Sequence, residues 1–259
     1  MNDHSPTPAK AGHVLITGAA HRIGRCIALD LAAHGWDVAL HYHQSTEKAE
    51  ATADEISRLG RRALLIQGDL SDTEAVNRMT PQVLEKFGSL ECLINNASLF
   101  EDDNIDSVTA QSWHAHIDTN LLAPLLLSQA FAAQAGEGSN IINLLDQRVW
   151  KLTPHFLSYT VSKTGLWTLT QTLAMALAER RIRVNAIGPG PTLPNTRQSD
   201  QHFRDQSAAV PLGRGPTTGE ICDAVRYVLG APSLTGQMIA LDGGQHLAWQ
   251  TPDILGIPE

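Results

Sequence analysis

Several things are scarce in this chain. It has three cysteines in 259 residues, Cys26, Cys92 and Cys222, with no paired spacing. That excludes a disulfide-stapled secreted scaffold, and thiols in apolar segments fit the reduced core of a cytoplasmic protein. No apolar run is long enough to cross a bilayer, so no membrane partner is expected. The opening MNDHSPTPAKAG lacks the apolar core of a secretory signal. Basic residues are in the minority, 19 Lys and Arg against 27 Asp and Glu, a net charge of −8. A nucleic acid is therefore not an expected partner, although a local basic pocket can still meet a phosphate. Internal repeats, low-complexity tracts and a domain break are also missing.

What is present is ordinary for a globular protein: 42% hydrophobic and 18% charged residues. The length suffices for one large domain with a substantial core. Residues 1–12 are polar, contain two prolines, and are expected to form a flexible tail ahead of a domain over 13–259. Short apolar runs at 14–17, 37–42, 63–67, 90–94, 141–145, 182–187 and 237–241 read as strands. Amphipathic segments at 23–33, 46–59, 73–87, 112–134, 157–178 and 220–229 read as helices between them. This alternation predicts an α/β fold: a single, doubly wound, Rossmann-type parallel β-sheet flanked by helices.

The first strand runs directly into Gly18, and a helix follows with Gly24 at its start. Such a strand, glycine turn and helix form the context of a dinucleotide-binding turn, where the backbone approaches a pyrophosphate held at the helix N-terminus. An enzyme that prefers NAD places a carboxylate at the end of the second strand. Here that end reads His41-Tyr42-His43-Gln44-Ser45, with no acid until Glu47. Repulsion of a 2′-phosphate is thereby removed, and His43 and Ser45 can donate hydrogen bonds to one. NADPH/NADP+ is the expected cofactor. His41 and His43 lack a third ligand, so no metal is expected. His114 and His116, two apart on one helix, cannot share a face and are expected at the surface. Pro124 predicts a bend in the same helix.

The stretch from Ile141 to Lys163 organises the rest. Its opening strand ends at Asp146, and after a loop Tyr159 and Lys163 fall four apart on a helix, where phenol and ammonium can aim at one spot. The ammonium is expected to favour phenolate, bringing a phenol of reference pKa roughly 10 toward a useful proton-transfer range. Residues 193–215 are polar and proline-bearing, as in a mobile substrate lid.

TGAAHRIG (17–24), NNAS (95–98), Asn120, Tyr159-x-x-x-Lys163 and LDGG (241–244) resemble the short-chain dehydrogenase/reductase superfamily, in that family's order and over nearly the whole chain. Arg22, HYHQS (41–45), Phe100 and Asp146 are similar to the pteridine reductases and the bacterial dihydromonapterin/dihydrofolate reductases. The resemblance implies catalytic roles for Asn120, Asp146, Tyr159 and Lys163. Asn120 would kink its helix and help hold a relay water near the lysine. The resemblance implies cofactor contacts at Thr17, Gly18, Arg22, Ile23, Gly24, His43, Ser45, Asp69, Leu70, Asn96, Ala97, Lys163, Pro189, Gly190 and Thr192. Arg22 replaces the usual third glycine and would lie over the cofactor phosphates. Substrate contacts are implied at Arg22, Ser98, Phe100, Asp146 and Tyr159, with Phe100 stacking a pterin against the nicotinamide. Asn95 reads as structural. A homotetramer is the family expectation.

Asp146 bears on the substrate. Most superfamily members carry serine there, whose hydroxyl donates to a substrate carbonyl. An ionised aspartate has no proton to donate, repels a developing alkoxide, and raises the pKa of Tyr159. It suits a C=N bond better, since reduction there delivers a whole proton to nitrogen. The expected function is NADPH-dependent reduction of a dihydropterin (dihydromonapterin, dihydrobiopterin or dihydrofolate) to the tetrahydro form. Two other readings stay open. One is an NADPH-dependent ketone or 3-oxoacyl reductase with an unusual aspartate. The other is a non-catalytic NADP(H)-sensing protein, which has no need of Asn120, Tyr159 and Lys163 together.

Overall fold

The computed structural model describes residues 11–195 and 198–249. Most of the expected N-terminal tail, the domain's end beyond 249 and residues 196 and 197 of the expected lid lie outside the described residues. Seven strands, β1 (His13–Ile16), β2 (Asp37–Tyr42), β3 (Ala63–Gln67), β4 (Cys92–Asn95), β5 (Asn140–Leu144), β6 (Arg183–Pro189) and β7 (Met238–Leu241), form one sheet. Their order is β3-β2-β1-β4-β5-β6-β7, and every pairing is parallel. The chain reverses direction across the sheet between β1 and β4, so a crevice opens at the carboxyl ends of those two strands.

Because both faces are covered, the central strands are buried on both sides and alternate between two cores. Val14, Ile16, Val38 and Leu40 point to the side holding α1 (Arg22–Ala33) and α8 (Thr218–Gly230). Leu15, Ala39, Leu93 and Ile141 point to the side holding α3 (Thr73–Phe87), α5 (Ala123–Gln134) and α6 (Leu157–Leu177). The remaining helices are α2 (Thr46–Arg58), α4 (Ala110–Ile117) and α7 (Asp200–Ala208).

The expected helix over 112–134 is interrupted at Asn120, where the resemblance puts a kink, and not at Pro124. It starts at Ala110 and passes through a π turn, Asp118–Leu122, before α5 begins. Pro124 sits two residues beyond the π turn, in the first turn of α5, so the interruption lies just upstream of it. Asn120 lies inside that turn, fully buried. His116 is a second correction. His114 is exposed as expected, but His116 is 1% exposed, because the loop after β4 covers its side of α4. The expected lid is not all loop: it contains α7, N-capped by Ser199.

Candidate active site

At the crevice, Gly18 has φ +63, a left-handed conformation open to glycine at little cost. A Cβ on Gly24 would sit 2.3 Å from the Gly18 carbonyl oxygen, so only glycine lets α1 start this close to the turn. Thr17 holds the turn from behind. Its buried hydroxyl accepts the N–H groups of Asn96 (2.9 Å) and Ala97 (3.0 Å), while the Asn96 amide donates to the carbonyls of Thr17 and Gly18. His41 supports it from β2: the Gly18 N–H donates to Nδ1 at 3.1 Å and Nε2 faces the Gly68 carbonyl at 3.1 Å. Burial pushes the His41 imidazole down to about 4, so it stays neutral and can accept from Gly18.

A cleft of about 600 Å³ spreads from this turn, past Tyr42, His43, Gln44 and Ser45, to Asp69, Leu70 and Ser71, then across Asn96 to Leu99. The residues fit a dinucleotide. The glycine turn leaves room for a pyrophosphate at the N-terminus of α1. Ser45 is the N-cap residue of α2, makes no capping bond of its own and lines this cleft. The Asp69 carboxylate accepts from the Ser71 N–H at 2.8 Å, the chief cause of its lowered pKa, and lies 3.6 Å from His43 Nε2.

A second cleft, about 410 Å³, adjoins the first through Arg22, Ile23, Asn96 and Ser98. Phe100, Asp146, Tyr159, Lys163, Pro189, Gly190 and Thr192 line it. Tyr159 donates its hydroxyl to Asp146 Oδ2 at 3.0 Å. The other carboxylate oxygen accepts the Arg148 N–H at 2.9 Å, and Arg148 Nη1 reaches Oδ2 at 3.3 Å. Phe100 meets Tyr159 edge-on at 4.7 Å between centroids and stacks on Phe156 at 4.5 Å. The Arg148 guanidinium lies over both phenylalanine rings. Lys163 donates to the Leu144 carbonyl at 2.8 Å.

The electrostatics correct one expectation. Tyr159 is pushed well above its ordinary value, first by burial and then by the Asp146 charge, with Arg148 and Ser98 opposing more weakly. Lys163 Nζ sits 5.9 Å from the ring centroid and is engaged with Leu144, and burial lowers it to about 8. Tyr159 is therefore held as a phenol, ready to give a proton rather than take one.

Of the residues named from sequence, Thr17, Gly24 and Asn120 line neither cleft. Thr17 and Gly24 act from behind the turn. The Asn120 side chain accepts the Leu99 N–H and donates to the Leu99 carbonyl and the Ser162 hydroxyl, so it is engaged with the protein inside its π turn. Arg22 does reach across the clefts, donating to the carbonyls of Pro194 (2.6 Å) and Leu193 (3.2 Å), from a backbone at φ +56. Asn95 donates to Asn143 between β4 and β5, a structural tie. Sequence reasoning missed Arg148 and Phe156, which line the second cleft with Gln198, Gln206 and Gln245.

A protein-family model described as enoyl-(acyl carrier protein) reductase matches residues 18–246. The chain is similar to the FolM alternative dihydrofolate reductase 1 of Brucella canis, solved with NADP: 45% identity, TM-score 0.91, 96% of this chain and 99% of that one. A short-chain dehydrogenase of Burkholderia cenocepacia, also solved with NADP, is 32% identical with a TM-score of 0.88, over 93% of this chain and 100% of that one. The 3-oxoacyl-[acyl-carrier-protein] reductase FabG of Staphylococcus aureus is 35% identical over 239 residues, 90% of this chain and 97% of the relative.

Proposed function

The chain belongs to the short-chain dehydrogenase/reductase superfamily and is an NADP(H)-dependent oxidoreductase of it, and we propose that it reduces a 7,8-dihydropterin to the tetrahydro form. The observation that carries this reading is the hydrogen bond from the Tyr159 hydroxyl to Asp146 Oδ2, beside the Phe100 ring. A carboxylate beside the phenol is a poor partner for a ketone, because it disfavours the alkoxide that a ketone must form. It is a good one for a C=N bond, whose carbon takes hydride and whose nitrogen takes a proton. The 45% identity to a protein described as an alternative dihydrofolate reductase supports the same reading.

NADPH, when bound, supplies the hydride. Gly18 gives its pyrophosphate room and Arg22 covers it, while His43 and Ser45 meet the 2′-phosphate. Leu70, Asn96 and Ala97 line the nucleoside channel, and Pro189, Gly190 and Thr192 hold the nicotinamide end. Lys163 orients the nicotinamide ribose. Phe100, which stacks on Phe156 in this structure, would stack on the pterin in the complex, an interaction worth roughly 0.5–1.5 kcal/mol beyond area burial. Tyr159 delivers its proton to the ring nitrogen. The Asp146 side chain is 17% exposed and bonded to that hydroxyl, so it can pass a replacement proton from solvent. A homotetramer, as the family leads one to expect, and a cytoplasmic setting complete the proposal.

One other reading has a specific finding behind it. The 35% identity to a 3-oxoacyl reductase over most of both chains favours a ketone substrate. Turnover of NADPH with dihydromonapterin, dihydrobiopterin and dihydrofolate, set against a 3-oxoacyl thioester, separates the two. Turnover on a dihydropterin is expected, and turnover on the thioester alone would replace the proposal with the rival.

A further inference from the structure

The loop carrying Phe100 is tied to the helix carrying Tyr159 by buried polar side chains outside the family's motifs. Asp103, His116 and Ser158 are 4%, 1% and 0% exposed. The Asp103 carboxylate accepts both the Ser158 N–H (3.0 Å) and the Ser158 hydroxyl, and its carbonyl accepts the Leu157 N–H at 3.1 Å. It thus caps α6 from another segment, where Phe156, at the N-cap position, supplies no side-chain bond. Burial pushes the Asp103 carboxyl up, but the bonds from Ser158, with smaller contributions from His116 and Ser112, together hold the group below its usual range.

His116 joins the other side. Its Nε2 accepts the Glu101 N–H at 3.1 Å, while Nδ1 lies 2.9 Å from both the Ser112 carbonyl and the Ser158 hydroxyl. A backbone N–H can only donate, so Nε2 is bare and the ring proton sits on Nδ1. Each bond lands one residue from the cleft: Glu101 follows Phe100, and Ser158 precedes Tyr159.

We propose that His116, with Asp103 and Ser158, is a positioning device that fixes the Phe100 ring against Tyr159 and so sets where a flat substrate lies relative to the proton donor. The inference rests on the dihydropterin reading in taking Phe100 as the stacking surface. His116 touches no substrate: it acts through the Phe100 loop, through Ser158 on α6 and through an edge-on approach of its ring to Tyr159, 6.4 Å between centroids.

The test compares His116→Leu, of similar bulk but without an acceptor, with His116→Gln, whose amide oxygen can take the Glu101 N–H. Steady-state kinetics with dihydrobiopterin and NADPH binding by fluorescence are measured on both. Loss of the acceptor that holds the Glu101 N–H predicts about a tenfold rise in KM for His116→Leu, with kcat less affected and NADPH affinity unchanged. His116→Gln restores most of the KM. If His116→Leu does not fold, Ser158→Ala carries the test, with a smaller rise in the same parameter. Wild-type KM in His116→Leu, or equal losses of kcat, KM and NADPH affinity in both histidine variants, would overturn the proposal. If the wild type reduces only the 3-oxoacyl thioester, the dihydropterin reading fails by itself. The same KM comparison on the thioester then decides the role of His116.

Discussion

Lowering the pH should loosen the fold at one identifiable histidine. His41 is 2% exposed at the end of β2, with Nδ1 accepting from Gly18 and Nε2 facing the Gly68 carbonyl. Protonation puts a hydrogen on Nδ1, facing another N–H, in a site that burial already makes hostile to charge. The folded value is about 4, against 6.5 for an exposed imidazole. Between these values the unfolded chain takes the proton and the folded chain does not. Stability is therefore full above pH 6.5 and is lost as the pH falls toward 4. At about 1.4 kcal/mol per pH unit, the whole gap is worth on the order of 3 kcal/mol, and about 2 kcal/mol is gone by roughly pH 5. His43 and Asp69 face the same ring with opposing effects, so subtraction is needed. Urea unfolding of the cofactor-free protein at about pH 7 and about pH 5, wild type against His41→Gln, isolates it. The wild type should lose about 2 kcal/mol more than the variant over that interval. Equal losses would refute the reasoning and remove His41 as the neutral acceptor behind the glycine turn.

Replacing Arg22 by glycine should separate its two properties. The backbone at φ +56 is relieved, for a gain of about 1 kcal/mol in unfolding free energy, while the lost guanidinium should weaken NADPH binding by roughly tenfold in a fluorescence titration. Lys163, lowered by burial to about 8, should lose its charge as the pH rises through that value. The kcat/KM of the free enzyme then falls above about pH 8, an inflection that a pH–rate profile of Lys163→Met should lack. The same shift has the opposite sign for stability: the unfolded chain holds the extra proton between about pH 8 and 10, so thermal stability of the cofactor-free protein should gain from Lys163 across that window.

The sheet was legible because parallel strands buried on both faces leave unbroken apolar runs. Residues 37–42 and 63–67 needed no adjustment against β2 and β3. Glycine punctuation placed the ends of α1, α2 and α3, with Gly35, Gly60 and Gly88 all at positive φ. Features that depend on a partner far along the chain were not legible. The π turn at Asp118–Leu122 encloses Asn120, whose side chain is satisfied by Leu99 and Ser162, and no local periodicity announces it. His116 looked like a surface residue until the loop after β4 was laid over it. The upward push of Asp146 on Tyr159 is legible in the sequence, but burial, the larger cause, is not, and spacing reports only which face a lysine shares. The Arg148–Phe156–Phe100 stack joins three separate stretches of chain and had no linear signature.

The most direct test of the central claim is the rate of NADPH oxidation with dihydrobiopterin as acceptor, wild type against Asp146→Ser, with a 3-oxoacyl thioester run in parallel. If Asp146 and Tyr159 together supply the proton to a ring nitrogen, the wild type turns over the dihydropterin and the variant loses about 100-fold in kcat, while thioester reduction is unchanged or rises. A variant that reduces dihydrobiopterin at the wild-type rate, or a wild type that reduces only the thioester, would contradict the account.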